Sequence, residues 1–160
     1  KVDYIMVEGD PENVDAQYRT EKSIERLSQD IEVEELTKQR GDWDQAKGQE
    51  IVANALTQYG DKIEAVFCNN DAMALGAAQA ITAAGRTVGK DIYLVGVDAL
   101  AEAVDLVSTD MMTGTVLNDH ITQAHKAVDA AVSAVNGEKL SAYYWVDYVK
   151  VTPKNASQFK

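Results

Sequence analysis

IYLVGV, residues 92–97, is the most continuously apolar strand-like run in the chain. A segment with no polar face to offer solvent predicts a strand buried on both sides, at the centre of a parallel sheet. Just upstream, Asp71 to Ala84 is rich enough in alanine to predict a helix packed closely on that sheet, with Gly85 as its left-handed stop. Ala65 to Cys68 (AVFC) precedes it as a short buried strand. Further back, Trp43 to Tyr59 carries Ile51, Val52, Ala55, Leu56 and Tyr59 on one helical face, and Ile31 to Leu36 alternates like a half-exposed edge strand. Val14 to Asp30 is a helix by spacing and Asp3 to Glu8 (DYIMVE) a strand. Downstream come a short helix over Ala99 to Val107, a strand over Thr113 to Leu117, and a helix over Ile121 to Val135 that Asn136-Gly137 ends. This alternation implies right-handed βαβ crossovers. The expected fold is therefore α/β, a doubly wound, Rossmann-like parallel sheet with helices on both faces. The aromatic and β-branched tail, Ala142 to Val151, is expected to be a strand crossing between two structural bodies before Thr152-Pro153.

The chain has 160 residues, 46% of them hydrophobic, which suits one domain with a substantial core. A formal charge of −11 at pH 7 and the lack of any Lys/Arg cluster argue against nucleic acid as a partner. No apolar run approaches the roughly 20 residues that span a bilayer, and nothing at the amino end reads as a signal peptide. The single Cys68 has no partner for an internal disulfide and reads as a small buried hydrophobe. A start at Lys1 that leads straight into an apolar strand suggests a fragment or a processed chain.

Ligands of open parallel sheets bind beyond the carboxyl ends of the strands, so the residues after each strand carry the functional information. After the first strand come Gly9 to Asp15, with Arg19 one helical turn past Asp15; after the second, Gly41-Asp42-Trp43-Asp44; after the third, Asn69-Asn70-Asp71; then Asp98; then Asn118-Asp119. Sugar hydroxyls both donate and accept. Carboxylates, amides and a guanidinium can each engage neighbouring hydroxyls in pairs, which suits Asp15, Arg19, Asn70, Asp98 and Asn118. The flat C–H face of a pyranose would stack on an indole such as Trp43. A phosphate ligand would want a Gly-rich loop and Lys, and neither is present.

Each residue also has a structural explanation. Asn70, Asp98 and Asn118 sit where helices begin and would serve as caps. Asp15 with Arg19 would make an ordinary surface pair at i, i+4, and Trp43 a core or staple residue. Their coincidence along one rim favours ligand binding. Catalysis finds no support: His120 and His125 are five apart, no nucleophile elbow or HExxH occurs, and Asp15 with Asp98 as a glycosidase pair ranks low.

From about Tyr4 to the carboxyl end, the chain resembles the periplasmic galactose/glucose-binding protein family of type I solute-binding proteins. The resemblance rests on GDPENVDAQYRT (9–20), NNDAMALGAAQAI (69–81), VGVDAL (95–100) and GTVLND (114–119). It implies two similar lobes closing on one monosaccharide of the glucose or galactose type. It also implies delivery to the membrane subunits of an ABC importer, recognition by a chemoreceptor in some members, and an extracytoplasmic location, periplasmic or lipid-anchored. Sugar contacts carry over to Asp15, Arg19, Asn70, Asp98 and Asn118, and stacking to Trp43. Asn13 stands where the GExGHxDAxxR pattern commonly has His, which alters epimer and anomer preference. The alternative is the sugar-sensing effector domain of a LacI-type transcriptional repressor, which shares this architecture.

The same resemblance implies three segments. Residues 1–118 form the carboxyl-terminal sugar-binding lobe, 119–149 pack in relatives on an amino-terminal lobe missing here, and 150–160 return. Asp3 and Glu64 match the end and the distant ligand of a calcium loop whose remainder lies upstream of residue 1, so the metal site is expected to be incomplete, calcium belonging to the full-length parent. No cofactor is required. Half a cleft is expected to bind sugar weakly or not at all, and the apolar face of the 121–135 helix is expected to be covered by another copy of the chain.

Overall fold

A computed structural model describes all 160 residues. Its sheet contains β1 (Val2–Glu8), β2 (Val33–Arg40), β3 (Ala65–Cys68) and β4 (Tyr93–Val95) in the order β2-β1-β3-β4, every pair parallel. The helices between them are α1 (Val14–Leu27), α2 (Gln45–Tyr59) and α3 (Asp71–Ala83), followed by α4 (Ala101–Ser108). β5 (Thr115–Leu117) continues the sheet beyond β4 through a parallel bridge between Val95 and Gly114, and pairs antiparallel with β6 (Val149–Val151). Between β5 and β6 runs α5 (His120–Val135).

Alternation along β1 divides the core between the two faces of the sheet. Ile5 and Val7 join a cluster of 23 buried residues supplied chiefly by β3, β4, α2, α3 and α4. Tyr4 and Met6 point the other way, into a cluster of three buried residues packed by Ile24 of α1, Val33 and Phe67. Both faces are therefore covered, as the alternating elements predict, but very unequally. α1 buries only Ala16, and α5 buries no residue at all.

The thick face depends on α2 and α3 touching backbone to backbone. A Cβ on Gly76 would stand 2.0 Å from the Gln45 carbonyl oxygen, and one on Gly48 would stand 2.5 Å from that of Met73. Alanine-rich α3 is the partner such an approach requires. Gly85 ends α3 at φ +75° as expected, and Gly137 follows α5 at φ +75°.

Three expectations are corrected. IYLVGV does lie inside the sheet, between β3 and β5, but it is not buried on both faces: only Tyr93–Val95 pair regularly with β3, Tyr93 is 52% exposed, and the chain turns away at Asp98. The tail strand shrinks to Val149–Val151, because residues 142–148 have no ladder partner and β-forming side chains do not make a strand without one. β2 is an edge strand as expected, yet it runs on to Arg40, past an irregularity at Leu36 that lets it follow β1 to its end.

Replacing Gly76 with Ala should lower stability by about 1–3 kcal/mol through overpacking against α2. Urea denaturation followed by circular dichroism checks this, and an unchanged midpoint would show that the two helices can separate freely.

Candidate functional site

Arg19 organises the carboxyl rim of the sheet. Its guanidinium leaves α1 and donates to the Asn69 carbonyl oxygen at the end of β3 (2.9 Å) and to Asp98 Oδ1 after β4 (3.3 Å). The side chain is 11% exposed, its Nε is buried without a partner, and its central carbon lies 5.8 Å from the centre of the Trp43 ring. An unmatched buried donor costs on the order of 1–3 kcal/mol, a cost that functional sites commonly carry.

Trp43 reaches the cluster through an uncommon backbone, with Asp42 at φ 51° and Trp43 at φ 64°. Its indole lies so close over Gly9 that a Cβ there would meet Cζ2 at 2.3 Å, which explains the glycine. Asn70 holds the same turn from the other side. Its Oδ1 caps α3 by accepting from Met73 N (3.0 Å) and its Nδ2 donates to the Trp43 carbonyl (3.3 Å). Asn69, placed after β3 from the sequence but given no role there, is 1% exposed and ties the rim together: its Oδ1 accepts from Gly9 N (3.0 Å) and its side chain bonds the Thr20 hydroxyl. Its place directly after a buried strand, continuing the inward alternation, was the available signal.

Asp98 sits at φ 117° and Ala99 at φ 56°, so the turn after β4 is strained. Burial raises the Asp98 carboxyl above its ordinary range; the Arg19 charge opposes that shift and Asp15 adds to it. Asp15, Tyr18, Arg19, Lys22, Val116 and Tyr148 line a cleft of about 310 Å³ beside this group.

Arg19, Trp43, Asn70 and Asp98 are thus brought together, with Asp15 at the margin. The surface pair expected between Asp15 and Arg19 does not form, because Arg19 turns inward to Asp98. Asn13 is exposed and its Oδ1 caps α1, accepting from Asp15 N (2.8 Å). Asn118 stands at the end of β5, its Oδ1 accepting from Gln123 Nε2 (2.6 Å), and makes no hydrogen bond with Arg19. Two of the expected caps are corrected. Asp119 rather than Asn118 caps α5 through Thr122 N (3.0 Å), and α4 begins without a side-chain cap of its own, so Asp98 is free to meet Arg19.

At the opposite rim, Glu64 Oε2 accepts from Asp3 N (2.9 Å) and the Asp3 carboxylate pairs with Lys1 (3.2 Å). No group of three or more potential metal ligands gathers there, and the ammonium competes with any cation, so the residues present do not suit calcium.

The fold is a parallel α/β sheet whose carboxyl rim bears this cluster. The chain belongs to the periplasmic binding protein domain family, which it matches over residues 1–139. It is 36% identical over 140 residues to the D-galactose/methyl-galactoside binding periplasmic protein of Haemophilus influenzae, covering 86% of this chain and 41% of that protein. With the ribose import binding protein of Escherichia coli it shares 37% identity over 114 residues, 70% of this chain and 36% of the relative. Among solved structures, an ABC transporter solute-binding protein from Bacillus halodurans with bound myo-inositol superimposes with a TM-score of 0.86 at 30% identity, covering 98% of this chain and 53% of that one. The chain spans about half or less of the length of these relatives.

Arg19→Met should raise the Asp98 carboxyl further, by removing the charge that lowers it. A carboxyl raised in the folded state contributes stability that is complete below its unfolded pKa and is lost as pH rises through the folded value. The variant's stability deficit should therefore be larger at pH 7 than at pH 4. Urea denaturation at both values checks this, and an equal deficit would show that Arg19 and Asp98 are not electrostatically coupled.

Proposed function

We propose that this chain is the carboxyl-terminal, ligand-facing lobe of a non-enzymatic, extracytoplasmic monosaccharide receptor that serves an ABC importer, with a glucose- or galactose-type hexose as its ligand. The observation that carries this reading is the meeting of Arg19 with Asp98 beneath Trp43, beside Asp15. A guanidinium and a carboxylate side by side offer paired donors and acceptors to adjacent hydroxyls, and an indole offers a flat apolar surface to the ring. Relatives named for galactose, ribose and allose binding support a sugar as the ligand class. The importer's membrane subunits, a chemoreceptor and any lipid anchor belong to the same proposal through the family.

The lobe holds half of a cleft. In the 160-residue chain, glucose or galactose should give no calorimetric binding in the micromolar range, because convergent groups from a second lobe are lacking. In a full-length parent, Arg19→Ala or Asp98→Ala should weaken hexose binding roughly 10- to 100-fold, the effect of removing a charged hydrogen-bond partner. A parent that binds no hexose in a panel of glucose, galactose, ribose and allose would overturn the carbohydrate reading.

The second proposal concerns self-association. Along α5, Ile121, Val128, Val132 and Val135 are exposed, Val128 by 62% and Val135 by 88%. The tail lies along the same helix, Lys126 Nζ donating to the Trp145 carbonyl (2.6 Å), and leaves Tyr143, Tyr144, Trp145 and Tyr148 open to solvent. Aromatics of about 150–250 Å² each make the tail's open area on the order of 500 Å². The tail packs over Gln123, Lys126, Ala127 and Ala130, the flank of α5 opposite the Ile121, Val128, Val132 and Val135 stripe, so the two exposed surfaces are separate. A second copy of the chain covers the apolar stripe of α5, where the 119–149 segment of a longer parent would meet its other lobe. Sedimentation should give a dimer that Val128→Glu dissociates. A monomer at high concentration would overturn this.

A further inference from the structure

Asp71 is fully buried in the first turn of α3 and takes no part in the rim's direct contacts. Its Oδ1 accepts from the Thr115 hydroxyl at the start of β5 (2.7 Å), its Oδ2 accepts from Leu100 N ahead of α4 (2.9 Å), and its own N–H donates to the Val97 carbonyl (2.7 Å). Thr115 Oγ1 in turn accepts from Ala99 N (3.3 Å). The carboxylate presses so close to Gly96 that a Cβ there would meet Oδ1 at 2.3 Å. Val97, Ala99 and Leu100 are therefore held by Asp71 directly or through Thr115, and Gly96 packs closely against its carboxylate. Asp98, inside that frame, is fixed by Val116 O on its N–H (2.8 Å) and by Arg19 on its side chain.

We infer that Asp71 is a positioning residue: it holds the left-handed Asp98–Ala99 turn in place and so aims the Asp98 carboxylate at Arg19 and at the ligand. Two residues at positive φ without glycine are unfavourable unless the surroundings over-determine them. α4 has no side-chain cap of its own, and Asp71 supplies the missing acceptor from another element. The arrangement is costly for Asp71, whose carboxyl burial pushes up to about 6 in a place where no cation pairs with it. Its titratable neighbours are Asp98 after β4 and Cys68 at the end of β3, while the carboxylates of α4, Glu102 and Asp105, are exposed.

The inference rests on the proposed ligand site for its functional meaning, and the test separates the two. In the full chain, amide exchange of Ala99 and Leu100 and the carboxyl titration of Asp98 are followed by NMR in Asp71→Ala, Asp71→Asn and Thr115→Val. Asp71→Ala should speed Leu100 exchange roughly tenfold or more, as expected for a donor left without its buried acceptor, and should let Asp98 titrate closer to an ordinary carboxylate. Asp71→Asn should restore both, because its amide can accept from Leu100 and donate to Thr115. Thr115→Val, a milder change, should loosen Ala99 alone and keeps the question decidable if Asp71→Ala does not fold. Wild-type exchange and an unchanged Asp98 titration in a folded Asp71→Ala, or an unaffected Ala99 in Thr115→Val, would overturn the positioning role. In a full-length parent, Asp71→Ala should also weaken hexose binding while Asp71→Asn retains it. Absence of hexose binding in the wild-type parent would instead count against the sugar reading, leaving the NMR result to decide on Asp71.

Discussion

Parallel pairing in a shared register sets where everything else in this molecule lies. Tyr4 stands opposite Ala65 and Ala65 opposite Tyr93, so β1, β3 and β4 run level and finish together. The residues that follow, Gly9, Asn69 and, three positions past β4, Asp98, come out on one rim. Arg19 then folds back from α1 and closes that rim by joining the end of β3 to the turn after β4. A one-residue slip in either ladder would reverse the side chains of a whole strand and dissolve this meeting.

Burial and charge oppose each other at the rim. Asp98 remains raised despite a guanidinium beside it, which means that loss of water outweighs the attraction of Arg19. Asp71, behind it, is raised with no cation at all. Such groups weaken the fold in isolation, and they persist because the turn after β4 is built around them. The thick face of the sheet shows the contrary economy, with alanines and glycines allowing α2 and α3 to touch and no charge involved. Opposite it, only the three-residue cluster under α1 is packed, so that side of the sheet is thinly covered. Packing is therefore concentrated on one side of the sheet.

Much of this was legible from residue order. Helices ended at Gly85 and Gly137, Asn70 capped α3, and β2 took an edge. IYLVGV misled in one respect: the run lies between β3 and β5, but apolar content does not guarantee burial, for Tyr93 faces solvent and Val97 already belongs to a turn. The caps at Asp98 and Asn118 misled for a related reason. A helix needs an acceptor near its first N–H groups, but that acceptor can come from elsewhere. Asp71 supplied it to α4, and Asp119, one residue on, supplied it to α5.

The sequence by itself determined the kind and order of most elements and the presence of a polar or aromatic side chain after each strand, because hydrophobic period, capping and turn chemistry act over a few residues. Only the tertiary structure decided which of those side chains meet. Arg19 lies one turn from Asp15 yet pairs with Asp98, 79 residues away, and Asn118 turns to Gln123 instead of joining them. Such pairings depend on the register of the strands and the tilt of α1 against them, and nothing in local spacing records either.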